Sequence, residues 1–144
     1  MQFMLAMVGE ESGWDNPPDD MEKIVEEMEN YNRSLVKAGV LVDGAGLLPP
    51  ATASTLTFSA DGAAVTDGPF AETKEHLAGY WVIEVGSKDE AIEWAKKVPI
   101  KDGKIEVREM MGYGSPIDLD TFERLSAQAK KDLMEQVEAQ SKGS

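Results

Sequence analysis

Gly79-Tyr80-Trp81-Val82-Ile83-Glu84-Val85, followed at once by Ser87-Lys88-Asp89-Glu90, is the passage whose reading decides the fold. Its first part is aromatic and β-branched and is bounded by glycine, the pattern of a strand. Its second part is a capping box, because Glu90 stands three residues after the Ser87 cap. The helix that opens there carries Ala91, Ile92, Ala95 and Val98 on one face and is stopped by Pro99. After a turn at Asp102-Gly103, the run Lys104-Ile105-Glu106-Val107-Arg108 alternates as a last strand.

Upstream, residues 2–8 are almost continuously apolar and read as a strand buried on both faces. Gly9 to Asn16 is a polar loop. Pro17-Pro18-Asp19-Asp20 then opens a helix, with proline and acids in its first turn. Met21, Ile24, Val25, Met28, Tyr31, Asn32 and Leu35 recur at helical spacing, all but Asn32 apolar in character, and Gly39 closes the helix at C′. Val40 to Ala51 reads as a Gly/Pro loop. Thr55–Ser59 and Ala64–Thr66 form a hairpin about Asp61-Gly62. The order β-α-β-(β)-β-α-β is a ferredoxin-like α+β plan, in which two helices cover one face of an antiparallel sheet. The candidates for the other face, Trp81 or its neighbours and parts of the first strand, are too apolar for water. A homodimer packed sheet to sheet is therefore expected.

Residues 1–116 form this domain, and residues 117–144 are an addition. Asp120-Thr121-Phe122-Glu123 reads as a second capping box. Phe122, Leu125, Ala129, Leu133 and Val137 make a narrow stripe that needs a docking surface on this subunit, its mate or another protein. The tail Ser141–Ser144 is read as disordered.

The chain has 144 residues and no cysteine, so disulfides, thiolate catalysis and cysteine-ligated zinc are excluded. One domain of this size buries about 70% of its unfolded surface and needs no metal or cofactor to fold. Its net charge of −13 argues against nucleic-acid phosphates as partners. No apolar run reaches the roughly 20 residues of a membrane span, and the start lacks a basic leader, which together point to a cytoplasmic protein.

The densest cluster of special residues is Asp67-Gly68-Pro69-Phe70-Ala71-Glu72-Thr73-Lys74-Glu75. Gly68 permits positive φ, Pro69 fixes its own φ, and Asp67 can bond the following backbone. A rigid turn set beside four ionisable side chains is a candidate site. Asp67, held near Phe70, is the candidate general base, and the alternative is an Asp that only braces the turn. His76 lies four residues after Glu72. The two would share a face of a helical turn and could shuttle protons, and the alternative is a surface loop histidine. Lys74 could bind a substrate carboxylate or pair with Glu72 or Glu75. Tyr80, Trp81 and Trp94 are pocket walls or core, and Pro49-Pro50 shape a pocket rim or simply a loop exit. No residues are spaced as a metal site.

The Asp67–Glu75 stretch resembles the signature of the YCII-related family, in the branch named for its Asp-Gly-Pro-Phe motif. The resemblance extends over roughly residues 1–111, through Ala38–Leu41, Leu47–Pro50, Gly79–Val85, Asp89–Ala95 and Ile105–Arg108. It implies a dimeric α+β barrel of ferredoxin-like subunits. The reading favoured beside it is a small organic molecule bound near the motif, with Gly68, Pro69, Phe70, Glu72, Pro49 and Tyr80 around it. Lyase or isomerase-like chemistry would then fall to Asp67, with His76 and Lys74 assisting. The alternative it implies is a non-catalytic accessory module linked to sigma-factor-dependent transcription. A His–Asp pair proposed in shorter YCII-type proteins cannot be carried over as such, because the sequence places no histidine in or beside the first strand.

Overall fold

Apolar alternation arranges the centre of the molecule. The computed structural model describes residues 1–10, 19–69, 75–111 and 123–142. Strand β1 (Gln2–Glu10) is followed by helix α1 (Met21–Lys37), strand β2 (Leu41–Gly46) and a 3-10 turn (Pro50–Thr52). Strands β3 (Ser54–Ser59), β4 (Gly62–Asp67) and β5 (Glu75–Glu84) come next, then helix α2 (Lys88–Lys96), strand β6 (Lys104–Glu109) and helix α3 (Ala127–Lys142). Four strands make one sheet in the order β2-β5-β1-β6, with every neighbouring pair antiparallel. β1 and β2 therefore run parallel with β5 between them, a split β-α-β unit compatible with a ferredoxin-like fold.

The core lies between this sheet and the first two helices. Phe3, Leu5, Trp81, Ile83 and Val85 pack from the strands against Tyr31 and Leu35 of α1 and against Ala91 and Val98 around α2. Both helix ends follow the chemistry of their residues. Gly39 takes φ +73°, the amide of Gly39 donates to the Val36 carbonyl, and the amide of Val40 donates to that of Leu35. This is a Schellman closure that satisfies the last carbonyls of α1. Ser87 Oγ accepts from the Glu90 amide at 3.1 Å, while Glu90 Oε2 accepts from the Gly86 amide at 3.0 Å. The Tyr31 hydroxyl donates to the Trp94 carbonyl at 2.9 Å, tying α1 to α2. Burial pushes the Tyr31 phenol up to about 12.

Four expectations change. Residues 41–46, read as part of a loop, form edge strand β2 on β5. The hairpin β3–β4 is a separate two-stranded sheet, outside the four-stranded one. Trp81 is buried on the helix-covered face, so its neighbours Tyr80 and Val82, not Trp81 itself, belong to the other face. Helix α3 begins at Ala127, and its cap is Ser126, whose Oγ accepts from the Ala129 amide at 3.1 Å. Glu109 at the end of β6 accepts from both the amide and the hydroxyl of Ser126. The Asp120–Phe122 part of the expected cap lies outside the described residues, as does Pro17-Pro18. No described helix is long and apolar enough to cross a membrane.

Leu35 is fully buried and Val36 beside it is 63% exposed. Leu35→Ala should cost about 2–5 kcal/mol in urea denaturation, and Val36→Ala should stay within about 0.5 kcal/mol. For Tyr31, the native state keeps its proton to about pH 12, while an unfolded tyrosine loses it near pH 10. Between those values the native state binds more protons, so stability falls as pH rises, by about 2–3 kcal/mol across that window. Tyr31→Phe should flatten this part of the pH–stability curve while leaving the curve's shape below pH 9 unchanged.

Candidate functional site

Strand β2 is unusual in its composition. Leu41-Val42-Asp43-Gly44-Ala45-Gly46 pairs with β5 so that Gly44 faces Trp81 and Gly46 faces Gly79. Gly79 in turn faces Met7 on β1. By strand alternation these positions lie on the helix-covered side. There the layer beneath α1 holds glycines where side chains would normally pack, and a cleft of about 330 Å³ results. It is lined by Met7 and Leu41 from the sheet, Met28 and Asn32 from α1, Trp81 and the adjoining Tyr80 position of β5, and the Gly44–Gly46 and Gly79 backbone.

The glycines are not interchangeable. A Cβ at Gly79 would lie 2.9 Å from the Ala45 carbonyl oxygen, so glycine lets β2 approach β5 there. A Cβ at Gly44 would lie 3.1 Å from the Tyr80 carbonyl oxygen and 3.3 Å from Trp81 Cδ1. A Cβ at Gly46 would meet nothing within 4 Å, so it would project into open space.

One polar contact orients the wall of the cleft. Trp81 Nε1 donates to Asn32 Oδ1 at 2.8 Å. The Trp81 ring stands edge-on to Tyr31, with centroids 5.3 Å apart and planes at 81°. Two contacts from neighbouring positions of α1 thus hold the indole in place. Among the described lining residues there is no Lys, Arg, His, Asp or Glu. Among the described residues, no three His, Asp or Glu side chains converge to hold a metal ion.

The residues named from sequence are spread more widely. Tyr80 lines the cleft. Asp67 ends β4, exposed and opposite Ser54. Gly68 has φ +100°, its amide donates to the Ala53 carbonyl at 2.6 Å, and its carbonyl accepts from Thr55 Oγ1 at 2.7 Å. The turn thus closes the base of the hairpin, and the half-buried Pro69 follows it. Phe70, Glu72 and Lys74 lie outside the described residues. His76 is neither in a helical turn nor on the surface. It is 9% exposed, in extended β5 opposite Gly9. Glu75 pairs with Lys104 at 2.6 Å, and this bond raises the Lys104 ammonium above its ordinary value. Pro49 precedes the 3-10 turn, and its carbonyl accepts from Thr52 Oγ1 at 2.7 Å, away from the cleft lining. Trp94 flanks the core, with the Lys97 ammonium 4.5 Å from its ring centre. Asn32, Met28 and the three cleft glycines did not stand out from sequence as site residues. The available signal was Asn32, the one polar side chain in the helical stripe.

A family model described as the YCII-related domain matches residues 1–113. An uncharacterized protein of Rhizobium meliloti (strain 1021) is 38% identical over 105 residues, spanning 71% of this chain and 83% of that relative. The family match takes in both helices of the core, all six strands and every cleft residue, and it ends before α3. The chain belongs to the YCII-related domain family.

Proposed function

We propose that this YCII-related protein binds a small organic molecule in the cleft between α1, β2 and β5. The observation that carries this is the cluster of Gly44, Gly46 and Gly79 beneath α1, which keeps about 330 Å³ open in a layer that proteins normally fill. The volume and the mostly apolar lining with one oriented amide are those of a ligand site. If the bound molecule is turned over by lyase or isomerase-like chemistry, proton transfer falls to Asp67, Lys74 or His76. Gly68, Pro69, Phe70, Glu72 and Pro49 are the further residues expected around such a substrate near the Asp-Gly-Pro-Phe motif.

The same proposal includes a homodimer. Met4 and Ala6 of β1 and Val82 of β5 share the face of the sheet away from the helix-covered core, next to the exposed Leu77. A second reading, an accessory module that docks a protein partner, is favoured by α3. Met134 and Val137 there are each about half exposed, past the Ser126–Glu109 anchor.

Gly46→Phe should fill the cleft without strain at its own position, since nothing crowds that Cβ. In a thermal-shift screen of small neutral organic compounds, those that raise the melting temperature of the wild type should fail to raise that of Gly46→Phe. Compounds that stabilise both proteins alike would place binding elsewhere and count against the proposal.

A further inference from the structure

We infer that the cleft takes a flat, uncharged molecule with an apolar body and one hydrogen-bond acceptor, of the aryl ketone or cyclic amide class, with the acceptor seated on Asn32 Nδ2. This rests on the ligand-binding proposal above and narrows it.

The indole Nε1–H is a donor only, so the Asn32 amide must turn its oxygen toward Trp81, as the 2.8 Å contact requires. That choice leaves Nδ2 as the other end of the amide. Among the described residues Nδ2 donates no hydrogen bond. Asn32 is half-buried and lines the cleft, so Nδ2 is placed to donate to an acceptor that enters there. The body of the ligand meets the Met7 and Met28 thioethers, Leu41 and Trp81. Thioethers pack well against aromatic rings. The floor is bare peptide from Gly44, Gly46 and Gly79, whose planar groups suit a flat face.

Charge weighs against the commoner alternatives. A carboxylate or phosphate finds no Lys, Arg or His in the described lining, and it approaches a chain of net charge −13. An ammonium finds no carboxylate there and would face the donors of Nδ2. A plain hydrocarbon fits the walls but makes no use of those donors.

Acetophenone, α-methylstyrene and benzoate share a phenyl ring and nearly the same size, and they differ in carrying C=O, C=CH2 and carboxylate. They are titrated separately into 15N-labelled full-length protein, following the Trp81 indole and Asn32 side-chain amide resonances. Acetophenone should bind about tenfold more tightly than α-methylstyrene, the worth of one net hydrogen bond, and should move the Asn32 amide signals most. Benzoate should bind weakest. Asn32→Asp keeps an oxygen for the indole but replaces the donors. It should erase the ketone's advantage over α-methylstyrene. If α-methylstyrene binds as tightly as acetophenone, or benzoate binds best, and the Trp81 signal still moves, the ligand class is wrong and the cleft stands. If no probe moves either resonance at millimolar concentration, both the class and the cleft proposal are overturned.

Discussion

The antiparallel register of β1 on β5 is the constraint from which the rest of the molecule follows. It sets Phe3 against Ile83 and Leu5 against Trp81, which places the largest apolar side chains on the side that α1 and α2 cover. The register shifts between Met7 and Val8, so Gly79 faces Met7 while Leu77 faces Val8 and Ala78 is passed over. A bulge of this kind bends a strand and re-aims its neighbours. Here it leaves Gly79 between β1 and β2, where a side chain would run into the Ala45 carbonyl. The residue that lets β2 join the sheet is therefore also one whose missing side chain opens the cleft. Assembly of the sheet and formation of the site share one cause.

The parts legible in the sequence were those in which local chemistry and tertiary demand agree. The Tyr80–Val85 run, the Ser87 cap, the Gly39 closure and the alternating Lys104–Arg108 strand each carry their own signal, and each stands where it was read. β2 was not legible because Leu41–Gly46 has little intrinsic strand preference and holds two glycines. It is a strand because β5 offers it a hydrogen-bonding edge, which is a tertiary fact. The choice between Trp81 and its neighbours for the open face was undecided for the same kind of reason. A nearly all-apolar strand does not say which side the helices will take. The cleft inherits both difficulties, since its floor is β2 and its wall is Trp81.

The Asp67–Pro69 turn gains a concrete structural role. Gly68 in positive φ presents its amide to Ala53 and its carbonyl to Thr55, stapling the exit of β4 to the start of β3. An isolated two-stranded hairpin is marginal in water, so a rigid closure at its base is a stabilising device. The hairpin base is what the described part of this segment closes. At the other end of the chain, Glu109 supplies the acceptors that hold Ser126 and start α3. The last strand thereby fixes where the additional helix begins, although the family match stops short of that helix.

The central claim is that the space beneath α1 is a real apolar cleft held open by glycines, and not a gap that closes when the helix settles. A crystal of the protein pressurised with xenon tests this directly, because xenon enters apolar cavities and depends on no guess about the natural ligand. The account predicts xenon density bounded by Met7, Met28, Leu41 and Trp81. Met28 and Asn32 packed down onto Gly44 and Gly46, with no xenon between them, would contradict it.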